Sequence, residues 1–323
     1  MTAAARFVFR QLSPGGPKAK LSTLIFHRVH EQPDPMYPGD PDARQFARIC
    51  DWVKSAFNVL PLPEAIEALK AGTLRERAAA ITFDDGYADN LHVAAPILKE
   101  RGLSATFFIA TGFLGGGRMW NDAIYDACRL WTGAPLDLTP WLPQAPVLQL
   151  GQPADFEKRR NAAQTVTGLV KYLPHADRQR ICRAIADHCG LPSHSNLMMT
   201  PEEVCALRDT GMVIGAHTRT HPILAGLNAA EAEQEIAGSK QDLEQLLGEP
   251  VDVFAYPNGK PATDLTPETV EIVKKAGFGS AVTTQWGVAS AKSACFELPR
   301  FTPWDTQRTK FLLRMASNLY GAN

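Results

Sequence analysis

Short apolar runs alternate with segments of helical periodicity along most of the chain. Six apolar runs end in turn residues, as buried strands do: LSTLIFH (21–27), AAAITFDDG (78–86), SATFFIATG (104–112), GMVIGAHT (211–218), VDVFAYPNG (251–259) and GSAVTT (279–284). The segments between them repeat their apolar positions at helical spacing, and several end at Gly, which commonly follows a helix. Strand alternating with helix predicts a mostly parallel sheet that is covered on both faces.

The number of strands favours a barrel. Weaker strand patterns near Val59 and over 297–300 raise the predicted total to seven or eight, which suits a closed or nearly closed α/β barrel better than an open sheet. No G-x-G-x-x-G follows the first strand, and the chain has no G-x-x-x-x-G-K-[ST] segment. Nucleotide-binding functions therefore lose most of their support.

One region departs from this alternation. Residues 115–199 hold a GGG segment, a stretch rich in Trp and Pro, and then helical patterns with no strand of the barrel type. The predicted organisation is an N-terminal extension (1–20), a barrel (21–114 and 200–323), and a largely helical insertion (115–199). Because the insertion follows the end of a strand, it is interpreted as a lid or substrate-binding element, or as a stabilising appendage.

Composition and charge exclude several partners. With 33 basic and 34 acidic side chains the formal charge is −1, so nucleic acid and anionic membrane surfaces are not expected partners. No apolar stretch reaches the roughly 20 residues that a membrane span needs. The N-terminus has only a short apolar segment near 7–9, and the six cysteines show no metal-binding or paired spacing. A cytoplasmic protein with reduced thiols is predicted.

Polar and ionisable residues stand where the apolar runs stop. His27, Asp84, Asp85, His217 and Tyr256 each close a predicted strand. The carboxyl ends of parallel strands share one mouth of a barrel, where barrel enzymes place their active sites. We therefore expect these side chains to meet, although they are far apart in sequence.

Two histidines and two aspartates have the spacing of a metal site. His217 and His221 lie four residues apart, and a carboxylate from another strand end would complete a three-ligand site with room for water. Asp84 and Asp85 are adjacent and point in different directions, so that one can ligate a metal while the other takes a proton. A turn and cap role before Gly86 is the alternative.

The motifs resemble those of the polysaccharide deacetylases, the carbohydrate esterase group with the chitooligosaccharide deacetylase homology domain. The resemblance rests on TFDDG (82–86), HTRTHP (217–222) and FAYPNG (254–259). It implies a distorted (β/α) barrel with a divalent metal, usually Zn²⁺, held by Asp85, His217 and His221. Asp84 would be the general base toward water on the metal, and the backbone N–H of Asn258 would donate to the oxyanion.

Two departures from the family pattern concern the remaining catalytic roles. Ala255 stands where many members have an Arg that orients the catalytic Asp, and Arg300 is the candidate substitute, with a surface salt bridge as the alternative. The late His that protonates the leaving amine is absent. His27 resembles the N-terminal-strand acid of exopolysaccharide deacetylases with permuted motif order, and it is preferred as proton donor over His30. A structural histidine, hydrogen-bonded at the end of its strand, is the alternative for His27.

The predicted function is hydrolytic removal of an N-acetyl or O-acetyl group from a sugar unit of a glycan or its precursor. Tyr256, Pro257 and Asn258 are predicted to line the substrate site, and Trp120 and Asp122 are weaker binding candidates. A Trp in the hydrophobic core for Trp120, and a helix-capping role for Asp122, explain these two residues equally well. The alternatives are a glycan-binding protein without turnover, a hydrolase of small amides, and an iron site for oxygen chemistry.

Overall fold

The computed structural model describes residues 2–133 and 135–321, and within them it contains seven β-strands. The strands are β1 (Leu21–Phe26), β2 (Asn58–Val59), β3 (Ala78–Phe83), β4 (Thr106–Ile109), β5 (Val213–Ala216), β6 (Val253–Ala255) and β7 (Ser280–Val282). The helices are α1 (Thr2–Leu12), α2 (Ala43–Ala56), α3 (Leu62–Lys70), α4 (Ala95–Glu100), α5 (Trp120–Leu130), α6 (Phe156–Val170), α7 (His175–His188), α8 (Pro201–Asp209), α9 (Ala229–Leu247), α10 (Pro267–Lys275) and α11 (Arg308–Tyr320).

All the strand pairs are parallel and form one sheet in the order β1-β3-β4-β5-β6-β7, with β2 also beside β3. The segment 298–301 lies between the first and last strands of this order. Leu298 pairs with Val282 of β7, and Phe301 pairs with Leu24 of β1. The predicted distorted (β/α) barrel is confirmed, and the weak strand pattern at 297–300 corresponds to the segment that bridges β7 and β1.

Helices other than α5, α6 and α7 cover the sheet because they turn apolar faces toward it. The main core gathers phenylalanines from neighbouring strands, including the stacked rings of Phe83 and Phe107, whose centroids lie 4.7 Å apart. The predicted helix over 90–102 begins as one wide π-helical turn over Asn90–Ala94 and continues as α4. Pro96 lacks an N–H and crowds the preceding turn, which accounts for the widening.

Outside the predicted insertion, two helices have no counterpart among the predicted helical segments. α1, in the predicted N-terminal extension, buries Phe9 against Phe57 with ring centroids 4.6 Å apart. α11 buries Phe311, Met315 and Leu319 in the same core. Helices α1 and α11 are therefore both packed onto the barrel. No helix in the described part of the chain combines the length and the apolar character that crossing a bilayer requires.

Helices α5, α6 and α7 lie within the predicted insertion and have a hydrophobic cluster of their own. It includes Ile124, Leu136, Val166 and Ile185, and it is separate from the main core. Among the described residues no cysteine is disulfide-bonded, and Cys128 and Cys182 are buried in this cluster. The boundaries at 115 and 199, and the lid role, stay predictions.

Candidate metal centre

The carboxyl ends of the strands bring the predicted site residues to one mouth of the barrel. The Asp84 N–H donates to the Phe26 carbonyl at 2.9 Å, which sets the end of β3 beside His27. The His217 N–H donates to the Ile109 carbonyl at 3.0 Å and extends β5 in the same direction. The ladder of parallel strands thus gathers side chains that come from distant parts of the sequence.

Asp85, His217 and His221 form a compact set of possible ligands. Their donor atoms all lie within 4.8 Å of one another. Asp85 Oδ1 lies 3.4 Å from His217 Nε2 and 3.4 Å from His221 Nε2. Two ligands on a tetrahedral Zn²⁺ with bonds of roughly 2.0–2.1 Å are about 3.3 to 3.4 Å apart. These separations fit a divalent ion of that size.

The surroundings of the three side chains also fit a cation. The Ala255 carbonyl lies 2.7 Å from His217 Nδ1, which is thereby held as the protonated nitrogen and leaves the Nε2 lone pair facing Asp85. Asp85 Oδ1 is buried and has no hydrogen-bond partner among the described residues. The His221 side chain is 14% exposed, so the site opens to solvent on that side.

The backbone is strained at two of these three positions. Asp85 and His221 have φ values of 78° and 53°, a left-handed region that residues other than Gly rarely adopt. Such strain is typical of sites whose surroundings hold a side chain in a required direction. Here it turns both side chains toward the same point.

The charges of the site act on one another. Burial opposes the ionisation of Asp85, but His221 and His217 outweigh burial, so the pKa of Asp85 lies below its usual value. Burial also lowers the pKa of His221 to about 3, which keeps this imidazole neutral. For His217, burial is outweighed by Asp84 and Asp85, and its pKa is raised. An ionised carboxylate and a neutral imidazole are the forms that bind metal.

Asp84 and Arg300 form a buried, bidentate ion pair. The Arg300 guanidinium donates to the two Asp84 oxygens at 2.7 and 2.8 Å, to Thr82 Oγ1 at 3.1 Å and to the Thr283 carbonyl at 3.0 Å. Burial would raise the pKa of Asp84, but the charges of Arg300 and His217 outweigh burial and lower it. Arg300 is fully buried, so the pair is not a surface salt bridge.

His27 follows β1 and lies beside the aspartates, with an exposed side chain. It lies close enough to Asp84 and Asp85 for its charge to contribute to their lowered pKa values. His30 is turned elsewhere, because its Nε2 lies 3.5 Å from Asp40 and its ring stacks on Tyr37. His27 and His30, the two candidate proton donors, thus have different surroundings.

The predicted substrate-binding residues differ in what they offer to a ligand. Asn258 is half-buried with φ 58°, and its carbonyl accepts from Thr284. The Tyr256 side chain is fully buried in the main core against Phe254. Pro257 is buried as well. Of the three, Asn258 alone keeps a partly exposed surface, so the placement of Tyr256 and Pro257 does not support contact with substrate.

Trp120 and Asp122 are used within the protein. Trp120 is 8% exposed and belongs to the core of the insertion, as the alternative interpretation has it. Asp122 is buried and accepts from the Tyr87 hydroxyl at 3.0 Å. The proposed cap role does not hold, because α5 begins after Met119 and has no side-chain cap. Tyr87 and Asp122 instead tie the insertion to the loop that follows Asp85.

Sequence reasoning missed the residues that hold the HTRTH loop. Both oxygens of Glu235 on α9 accept hydrogen bonds from it: from the N–H groups of Arg219 and Thr220 at 2.9 and 2.8 Å, and from the Thr220 hydroxyl at 2.6 Å. The Arg219 guanidinium donates to Asp242 at 2.6 and 2.8 Å. Acidic residues on a mostly polar helix are ordinary, so no sequence signal distinguished these two.

Comparison with known proteins gives the family. The polysaccharide deacetylase family model matches residues 71–126 and 175–281, about half of the chain. The chain belongs to the polysaccharide deacetylase family. It is accordingly a hydrolase of the carbohydrate esterase type, from a family that acts on carbohydrates. The matched residues include all three members of the ligand set, whereas His27 and Arg300 lie outside them.

Three individual proteins are similar to this chain over most of its length. YxkH of Bacillus subtilis, provisionally named a polysaccharide deacetylase, is 22% identical over 284 residues, which are 87% of this chain and 71% of YxkH. The structure of the Streptococcus pyogenes deacetylase PplD in complex with acetate has a TM-score of 0.58 at 19% identity, covering 88% of this chain and 92% of PplD. IcaB from Ammonifex degensii has a TM-score of 0.58 at 19% identity, covering 95% and 98%. The similarity to the PplD and IcaB structures establishes the fold.

Proposed function

We propose that this polysaccharide deacetylase removes the acetyl group from an N-acetylated sugar unit of a glycan by metal-dependent hydrolysis. One observation carries the proposal: a buried Asp85 oxygen, which no described residue hydrogen-bonds, lies 3.4 Å from each of two imidazole nitrogens, beside a second carboxylate. Two imidazoles and a carboxylate with open positions form the donor set of catalytic zinc. Asp85, His217 and His221 are the proposed ligands, and Zn²⁺ is the proposed ion.

The ion supplies electrophilic chemistry when bound, because it lowers the pKa of water from 15.7 to about 7 and polarises a carbonyl oxygen. Asp84 is the proposed general base. Its Oδ2 lies 4.0 Å from His217 Nε2, at the edge of the donor set, and its lowered pKa keeps it ionised near neutral pH. Arg300 is the proposed positioning residue, since its bidentate pair fixes the direction of the Asp84 carboxylate.

His27 and Asn258 complete the proposed machinery from other strand ends. His27 is exposed at the mouth and donates a proton to the sugar nitrogen as the amide bond breaks. The backbone N–H of Asn258, in the loop after β6, donates to the oxygen that becomes negative when the acetyl carbon is attacked. The products are acetate and a free amine on the sugar.

Acetate release from N-acetylglucosamine oligomers by zinc-loaded protein tests the proposal. We expect Asp84→Asn to lower the rate at least about a hundredfold, as removal of a general base typically does. Because this change leaves Arg300 buried without its partner, thermal unfolding and zinc content must show that the variant is folded and loaded. Equal rates in the two proteins, or no acetate from any acetylated glycan, would reject the proposal.

A further inference from the structure

Two exposed tryptophans stand at the barrel mouth outside the proposed catalytic machinery. Trp286 lies four residues beyond β7 and Trp304 three residues beyond Phe301, and both segments follow the carboxyl ends of strands that pair in parallel. The two side chains are 45% and 51% exposed, although their rings meet edge to face with centroids 5.3 Å apart. Neighbouring large apolar side chains that stay in water commonly mark a binding surface.

The tryptophan pair is held in place before any ligand arrives. The Arg314 guanidinium of α11 lies 5.3 Å from the Trp304 ring centroid, and it donates to the two oxygens of Asp305 at 2.5 and 3.0 Å. Trp286 also contacts Phe301, with ring centroids 5.8 Å apart. Rings that are already ordered lose little conformational entropy on binding, which favours their use as a platform.

A groove and a smaller cleft border the Trp286–Trp304 pair. A groove of about 1020 Å³ lies between the 285–299 loop and α11, and it is lined by Trp286, Asp305 and Arg314. A smaller cleft is lined by His27, Trp304 and again Asp305. The tryptophan pair and Asp305 therefore connect the proposed proton donor to the larger groove, which also presents polar side chains such as Gln285 and Lys310.

We propose that Trp286 and Trp304 form a subsite for pyranose units of the same glycan chain, next to the unit that reacts. This inference rests on the proposed function, because the proposed function places the reacting sugar unit at the barrel mouth beside the two tryptophans. The C–H face of a pyranose packs on the electron-rich face of an aromatic ring, and its hydroxyls need polar partners at the edge. Aromatic rings bordered by polar groups, continuous with the catalytic mouth, suit an oligosaccharide better than an apolar partner.

The test compares chain lengths. In Trp304→Ala and Trp286→Ala we expect kcat/KM for acetate release from the N-acetylglucosamine hexamer to fall about tenfold, the loss that a stacking contact of this kind gives. The value for the dimer, the rate on 4-nitrophenyl acetate and the zinc content should stay near the wild-type values. Phe7→Ala removes an exposed aromatic ring from α1, away from the barrel mouth and the insertion, and should change none of these quantities.

Other outcomes separate this inference from the proposed function. If no acetate is released, the deacetylase proposal fails, and calorimetry then measures binding of the hexamer. Weaker binding in both tryptophan variants than in the wild type supports the subsite, and equal binding rejects it. If acetate is released and the variants keep the wild-type preference for longer chains, the subsite is wrong and the deacetylase proposal stands. A wild-type dimer that Trp304→Ala dissociates, seen by sedimentation, would also overturn it by assigning the face to a second copy.

Discussion

Asp84 remains charged in a fully buried position because Arg300 pairs both of its oxygens. An uncompensated buried carboxylate would take up a proton, and a protonated Asp84 could not act as a base. The partner comes from the segment that bridges β7 and β1, so closure of the barrel and ionisation of Asp84, the proposed base, depend on the same residue. This coupling explains why Ala255, where the family often has Arg, does not leave Asp84 without a cation.

The first prediction concerns His27, the proposed proton donor. A proton donor increases the reaction rate more when the leaving group is a poorer one. An amine needs a proton as it leaves, whereas 4-nitrophenolate does not. We expect His27→Asn to lower the rate of acetate release from the sugar amide by about a hundredfold and to affect 4-nitrophenyl acetate hydrolysis far less. Both rates are measured on zinc-loaded protein.

The control for His27 is His92→Asn, since His92 is exposed and pairs with Glu203 on α8. This variant should leave both rates unchanged. An equal loss on amide and ester in His27→Asn would mean that His27 shapes the site without donating the proton, and the role of acid would have to be assigned elsewhere.

Helix α9 gives the second prediction, through the hold of Glu235 on the HTRTH loop. Outer partners of metal ligands typically contribute 10- to 100-fold to metal affinity. Glu235→Gln should weaken zinc binding by about tenfold, because an amide group can accept only at its single oxygen. Activity should recover at saturating zinc, which a merely misfolded variant would not show.

Glu233→Gln is the matched control, because Glu233 is exposed on the same helix. Competition with a zinc chelator measures the affinity of each variant. Identical affinities in Glu235→Gln and the wild type would show that the loop is held by its own left-handed residues and by the Arg219–Asp242 pair alone.

Asp122 gives a third prediction, about the attachment of the insertion. Burial raises the pKa of Asp122 from 3.8 to about 7, although Arg28 and the Tyr87 hydrogen bond act to lower it. The folded protein therefore holds a proton that the unfolded chain releases, so stability falls as pH rises from about 4 to 7. Relative to Asp122→Asn, the wild-type free energy of unfolding should drop over this range by up to roughly 4 kcal/mol.

Urea denaturation at several pH values checks the Asp122 prediction, since contributions of the other groups cancel in the difference between the two proteins. Asp137→Asn, a change at an exposed residue of the insertion, should show no such drop. A wild-type advantage that grows with pH would reverse the sign and mean that Asp122 is ionised when folded.

The elements differ in how far the sequence predicted them. The barrel strands and the residues that close them followed from local pattern, because alternation of strand and helix constrains which ends meet. The direction of each side chain could not be predicted from local pattern. Tyr256 turns into the core, whereas His217, also at a strand end, faces the mouth. α1 was missed because its apolar residues Phe7 and Val8 are exposed, while Phe9 is buried and Ala5 and Leu12 are only partly buried against the core. Glu235 depends on tertiary contacts that no local pattern records.

At the scale of the whole molecule, the metal and the fold should stabilise each other. A ligand that binds only the folded state adds about 2.7 kcal/mol at a hundred times its dissociation constant. For a chain of this size that corresponds to a rise in Tm of roughly 5 °C. Zinc should therefore raise the Tm of the metal-free protein, and chelation should reverse the change, as followed by calorimetry.

Asp85→Asn separates this metal linkage from general effects of zinc. The change removes a proposed ligand oxygen and the buried charge that His217 and His221 stabilise in the folded protein. The metal-free variant should therefore unfold at a lower temperature than the metal-free wild type, and zinc should not raise its Tm. If zinc stabilises the variant as much as the wild type, the ion binds elsewhere, and Asp85, His217 and His221 do not form the metal centre.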